Sequence, residues 1–232
     1  MKFVDKKYNF LRAVKTQNLV RLGRKNDGGY VADSEIVKQC NTLITFGLGP
    51  DWTFELDYIK KNSEIQIYVY DHTVSVYPYI KEIIKYFRRF ITLRATFQSL
   101  TSRINNLSNY RNFLNLKNVH YFKEKITYPI KDKIDTDVEK AFSRVDKSRD
   151  VVLKCDIEGD EYKIIDEILK YSSRIKMLIF EFHLANNNEE NFHRDIKKIQ
   201  EYFEIIHIHG NNHFPKFNSG LPSLLEITLI NK

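Results

Sequence analysis

The feature that most constrains this chain is an alternation of short apolar runs with longer stretches whose apolar residues recur at helical spacing. Residues 42–46 form a strand-like run closing at Gly47, residues 65–70 one closing at Asp71, and residues 151–155 a buried one closing at Asp156. Residues 119–126 and 177–182 supply two more. Residues 52–60, 79–90, 161–171 and 189–203 read as helices, whereas the stretch leading to Asn118 resists assignment. This is the pattern of a parallel sheet with helices on both faces. The last two strand-like runs, residues 204–208 and 225–230, are joined by a link holding Gly210, Pro215, Gly220 and Pro222 but no helix, which predicts an antiparallel hairpin. The expected fold is therefore α/β, a mostly parallel seven-stranded sheet over residues 42–232. Residues 1–41 read as a helical lead-in with one turn, part of the same domain.

Glycine is sparse, eight residues in all, so each position is informative. Gly47-Leu48-Gly49-Pro50-Asp51 follows the first strand and precedes a helix, a turn that lets backbone amides approach a ligand. Asp71, with His72 beside it, ends the second strand, where a carboxylate can accept hydrogen bonds from a ribose diol. A dinucleotide fingerprint would need a third glycine where Trp52 stands, which favours a loop cradling S-adenosylmethionine over one binding NAD. A plain βα turn that binds nothing would use the same glycines. Upstream, Asp27-Gly28-Gly29-Tyr30 is a turn signal that reads as part of a lid over the cofactor, with Lys25 or Arg21 meeting a carboxylate. Ile126 and Thr127, after the third strand, are expected at the adenine pocket.

The fourth strand carries a sharper signal. Lys154-Cys155-Asp156-Ile157-Glu158-Gly159-Asp160-Glu161 resembles the signature of FkbM-type methyltransferases. Arg21-Leu22-Gly23, Asp27-Gly28-Gly29-Tyr30, Phe46-Gly47-Leu48-Gly49 with Asp51-Trp52 and Phe54-Glu55, Glu181-Phe182-His183, His207-Ile208-His209-Gly210-Asn211-Asn212 and Leu225-Glu226-Ile227-Thr228 are similar to a related branch of that family. The resemblance runs from about Leu19 onward and is thin between Val74 and Asn118. It implies a Rossmann-like, class I, S-adenosylmethionine-dependent O-methyltransferase, often acting on sugar hydroxyls.

Methyl transfer to a sugar hydroxyl needs alignment, plus a base or a divalent metal to remove or acidify the hydroxyl proton. Asp156 and Glu158 lie at the mouth of a central strand, where two carboxylates are costly unless they bind something. Glu181 and His183 are two apart and share a strand face, as do His207 and His209. The base is expected to be Asp156 or His183, with Glu158 beside them and Glu181, His209 and Asn211 holding substrate. A metal on Asp156, Glu158 and His183 is the weaker version, since carboxylate and imidazole suit a divalent ion but nothing sets their geometry. Glu161 reads as a helix-start residue favoured by the dipole, and Cys155 as packing.

Charge adds a partner class. The formal net charge is +7, and residues 81–133 hold 12 basic against 3 acidic residues, a local excess of nine that leaves the remainder slightly acidic. Such a segment attracts an anionic partner such as an acidic glycan, a nucleotide-linked sugar, a membrane surface or nucleic acid. The aromatics Tyr86, Phe87, Phe90, Phe97 and Tyr110 interleave with it, yet no RNA- or DNA-binding motif accompanies them, so no nucleic-acid partner is expected. No run is apolar and long enough to cross a bilayer, the first twenty residues are too charged for a secretory signal, and two cysteines make no disulfide scaffold. A cytoplasmic enzyme is the resulting expectation, with a nucleotide-sugar oxidoreductase or epimerase as the alternative on the same sheet.

Overall fold

The computed structural model describes residues 6–25, 28–184, 189–211, 215–217 and 219–232. After a 3₁₀ turn at Lys6–Leu11, strands β1 (Leu19–Leu22) and β2 (Tyr30–Asp33) pair as an antiparallel ribbon, followed by helix α1 (Ser34–Gln39). Among the described residues, the stretch before β3 thus carries an antiparallel ribbon as well as α1. The main chain of elements then runs β3 (Thr42–Phe46), α2 (Thr53–Lys61), β4 (Gln66–Tyr70), α3 (Tyr77–Ile91), α4 (Phe97–Leu114) and β5 (Val119–Phe122). A two-residue pair, β6 (Lys125–Ile126) and β7 (Asp135–Thr136), precedes α5 (Val138–Ser143). The last elements are β8 (Val151–Cys155), α6 (Glu161–Leu169), β9 (Ile175–His183), α7 (Glu189–Tyr202), β10 (Phe203–Gly210) and β11 (Leu224–Asn231).

The seven-stranded sheet has the order β10-β11-β9-β8-β3-β4-β5. Its five βα strands are parallel, and β11 inserts antiparallel between β9 and β10. This is the mostly parallel seven-stranded α/β sheet with a C-terminal antiparallel hairpin that the sequence predicts. The strand-like run expected over residues 119–126 is split: β5 ends at Phe122, and Lys125 and Ile126 leave the sheet to pair with β7.

Period-two alternation explains the two layers. From β3 and β8, Ile44, Phe46, Val151, Leu153 and Cys155 face a core with Ile164 and Ile168 of α6 and Phe192 and Ile196 of α7. Leu43 and Val152 face the opposite core with Val37 of α1, Phe54 and Tyr58 of α2, and Tyr110 and Phe113 of α4. Sandwiching central strands this way buries them completely, which is why they read as nearly unbroken apolar runs. Among the described residues no helix is long and apolar enough to cross a membrane.

Candidate active site

The carboxyl ends of β3, β8 and β9 open onto a crevice of about 520 Å³. Its floor and walls include Gly28, Tyr30, Leu48, Gly49, Asp51, Lys154, Asp156, Glu158, Glu181 and His183, and the α3–α4 hairpin closes one side with Tyr79, Glu82, Arg103 and Asn106. A smaller hollow of about 150 Å³ adjoins it, lined by Gly47, Gly49, Tyr70, Asp71, His72, Ile126, Asp156 and Glu158 among others. The two share Gly49, Asp156 and Glu158, so a ligand can lie across both.

Two strand exits make this geometry. At Gly47 (φ +78°), a Cβ would meet the carbonyl oxygen of Asp156 at 1.6 Å, so only glycine lets the β3 and β8 exits touch. The contact is reinforced where the Asp156 amide donates to the carbonyl of Phe46 at 2.9 Å. After Asp156 the chain turns through Glu158 at φ +58° and Gly159 at φ +103°. A glutamate in the left-handed region costs about 1–2 kcal/mol, and this one projects a largely exposed side chain at the crevice mouth. Glu161 holds the turn: its Oε1 accepts from the amides of Ile157 and Gly159, each at 3.1 Å. The same oxygen lies 3.1 Å from Nδ1 of His183, so Glu161, expected as a helix-start residue, also orients the imidazole.

The carboxyls meet through a residue far away in sequence. Tyr30 Oη lies 2.9 Å from Asp156 Oδ2 and 2.8 Å from Glu181 Oε2. One hydroxyl proton cannot satisfy two ionised carboxylates, so one carboxyl must hold a proton of its own. Burial and the neighbouring Asp156 push Glu181 up to about 7. Burial also raises Asp156, against the pull of Lys154 and His183. The consistent arrangement is a chain in which protonated Glu181 donates to Tyr30 and Tyr30 donates to ionised Asp156. His183 behaves oppositely: burial disfavours its charge, but Glu161, Asp156 and Glu158 outweigh that and lift it to about 9. At neutral pH it is an imidazolium in this arrangement, with Nε2 3.4 Å from Glu158.

Beneath the crevice lies a buried ion pair absent from the expected site. Lys154 Nζ sits 3.3 Å from Glu55 Oε1, which also accepts from Thr45 Oγ1 at 3.1 Å, and the ammonium lies 5.0 Å from the Tyr30 ring centroid. The visible signal was a lysine inside the otherwise apolar run of β8, a placement that is expensive unless paired. Tyr30 gave only the signal of following a glycine turn.

Leu48 and Gly49 line the crevice, and Asp51 lines it too while its Oδ1 accepts from the Thr53 amide at 3.0 Å. Gly28 packs on Asp51, and Asp27 lies outside the described residues. His72 and Ile126 line the small hollow, and Thr127, next to Ile126 in the chain, is buried. Asp71 differs from expectation. Its Oδ2 accepts from the amides of Leu48 and Gly49, both at 2.8 Å, and its Oδ1 from the amide and hydroxyl of Thr73 and the amide of Val74. Burial would raise its pKa, but these donors hold it below the usual carboxylate range. Those contacts occupy its lone pairs, so Asp71 ties down the glycine turn and reaches a ribose only if some of them open. Asp71→Ala is expected to destabilise the ligand-free protein by about 2–4 kcal/mol, read as a lowered melting temperature; an unchanged value would return Asp71 to a purely ligand-binding role. His209 and Asn211 do not line the crevice, because β11 stands between β9 and β10 and carries their strand one position further out.

Asp156, Glu158 and His183 bring one ligand atom each within 4.8 Å of one another. Carboxylate and imidazole donors suit a divalent cation, and a histidine whose second nitrogen is held by a buried carboxylate is oriented as metal ligands usually are.

Comparison with family models and with curated proteins finds no match. The chain is similar to several solved structures at low TM-scores. They include a fibrillarin/Nop5p complex (12% identity, TM-score 0.45, covering 83% of this chain and 73% of that one). A dimethyladenosine transferase from Plasmodium falciparum follows at 13% identity and TM-score 0.44, covering 86% of this chain and 60% of that one. Aeropyrum pernix fibrillarin, in complex with natively bound S-adenosyl-L-methionine, shows 9% identity and TM-score 0.42, covering 96% and 86%.

Proposed function

We propose that this protein is an S-adenosylmethionine-dependent O-methyltransferase acting on a hydroxyl of a sugar or glycoconjugate. The observation that carries this reading is the Asp156–Tyr30–Glu181 chain of carboxyls, set beside a glycine turn and a small second hollow at one sheet edge. The resemblance of the β8 motif to FkbM-type methyltransferases supports it. The residues fit the cofactor: nothing stands within 4 Å of where a Cβ on Gly49 would be, so the turn's backbone opens onto free space. Nearby Asp156 and Glu158 offer negative charge to a sulfonium. When bound, S-adenosylmethionine supplies an electrophilic methyl group.

The chain's own residues then do three things. The walls hold the acceptor hydroxyl in line, which is where most of the rate comes from. As the acceptor oxygen takes the methyl, its O–H bond breaks and the proton passes to Asp156. Tyr30 and Glu181 stabilise the chain by sharing protons behind it, while the His183 imidazolium balances the charge. On the α3–α4 side Arg103 suits an anionic acceptor: it donates to Tyr86 Oη at 3.1 Å, and its Nε has no hydrogen-bond partner among the described residues, whereas Arg24 is paired with Asp51 at 3.1 Å. The clustering of Asp156, Glu158 and His183 favours a second version, in which a divalent cation held there acidifies the hydroxyl. Loss of turnover on chelation, restored by Mg²⁺ or Mn²⁺, would select it.

The nicotinamide alternative is not favoured. Trp52, where the third glycine would stand, is buried and packs on Tyr110 with ring centroids 4.9 Å apart. Calorimetric titration is expected to show S-adenosylmethionine binding and no heat with NAD. Tight NAD binding with silence toward S-adenosylmethionine would overturn the proposal.

A further inference from the structure

Helix α3 is apolar on two faces. Tyr79 stacks on Tyr110 of α4 with centroids 4.8 Å apart, Tyr86 takes the Arg103 guanidinium at 4.5 Å, and Phe90 lies 6.1 Å from Phe97. That inner stripe is explained by α4. The outer stripe, Tyr77, Ile80, Ile84, Phe87 and Ile91, repeats at intervals of three and four and faces solvent, with Phe87 51% and Ile91 64% exposed. At the turn into α4, Leu93 stands 93% exposed at φ +55°, a backbone region that side chains other than asparagine and aspartate avoid. A helix with two apolar faces has use for two partners, and only one is accounted for.

The charge around the outer stripe selects the second. Residues 77–114 hold seven basic side chains and one acidic one, Glu82, which is already engaged by Lys85 at 2.9 Å. Lys81, Lys85 and Arg88 line a shallow groove with Tyr77, Ile80 and Ile84, so cations rim the apolar stripe. A symmetric pairing with a second copy would set these cations against themselves. An anionic bilayer satisfies both halves: apolar side chains enter the acyl boundary and the basic rim meets lipid phosphates.

We propose that the outer face of α3, with Leu93 at its tip, docks the protein on anionic phospholipid membranes. The inner side of the same hairpin lines the crevice through Tyr79, Glu82 and Arg103, so docking would set the crevice mouth beside the lipid headgroups. Docking itself does not depend on the reaction and is tested without cofactor or acceptor, so it stands or falls apart from the methyltransferase reading.

The experiment is co-sedimentation of the full chain with phosphatidylglycerol/phosphatidylcholine vesicles and with phosphatidylcholine alone. Binding to the anionic vesicles is expected, weakened by raised salt. Phe87→Ser with Ile91→Ser should lower it by about tenfold for each side chain. Lys81→Glu with Arg88→Glu should lower it by about fivefold per charge removed. These positions lie outside both cores, so unchanged thermal melting will show that the variants fold. Absence of vesicle binding, or binding indifferent to both pairs of substitutions, would overturn the proposal. So would a dimer in sedimentation equilibrium that Phe87→Ser with Ile91→Ser dissociates, since the stripe would then belong to a second copy.

Discussion

Asp156→Asn is expected to lower kcat by about 10²–10⁴-fold while leaving the melting temperature of the ligand-free protein close to that of the parent. The two halves have different causes. Asparagine cannot take the hydroxyl proton, but it can still accept from Tyr30, whose hydroxyl lies 2.9 Å from Asp156 Oδ2. Burial raises the pKa of Asp156, so its charge is held at a cost to folding, and a neutral amide of the same shape relieves that cost. Cofactor affinity measured by calorimetry should change far less than turnover. Near-normal turnover would remove Asp156 as the base.

Lys154→Met should instead act on stability. Both partners of the Lys154–Glu55 pair are buried, so removing the ammonium strands a carboxylate in a low-dielectric interior. Breaking such a pair from one side costs about 3–5 kcal/mol, which for a chain of this length is a fall in melting temperature of roughly 6–20 °C. The double variant Lys154→Met with Glu55→Gln should recover most of that loss, because no charge then remains unpaired. A single variant that melts with the parent would show that Glu55 finds another partner or a proton.

The sheet was readable because its central strands are buried on both faces and end in residues with backbone or charge consequences: Gly47, Asp71 and Asp156. Local sequence carried that information. The site's connections were harder to read because they are long-range. Tyr30 lies 126 positions from Asp156 and 151 from Glu181, and nothing near it in sequence announces either contact. Asp71 was recognised by position, yet its partners are amides, which every residue has and no pattern reveals. The sequence places His209 at the substrate because its strand follows that of His183 through a helix, whereas the insertion of β11 between β9 and β10 depends on how the last hairpin folds back. The α3–α4 hairpin was obscure for a different reason. Its outer apolar stripe does not mark the core, so periodicity alone could not say which face the fold uses.

The missing side chain at Gly47 also bears on how such a protein changes its preferences. Because two main-chain segments abut there without any intervening group, the distance between the glycine turn and the Asp156 carboxyl is set by backbone contact and not by replaceable side chains. Under the proposed activity, substitutions along the hairpin wall would therefore change which acceptor is held and leave that distance as it is. A methyl branch introduced at that one point would instead unseat both halves together.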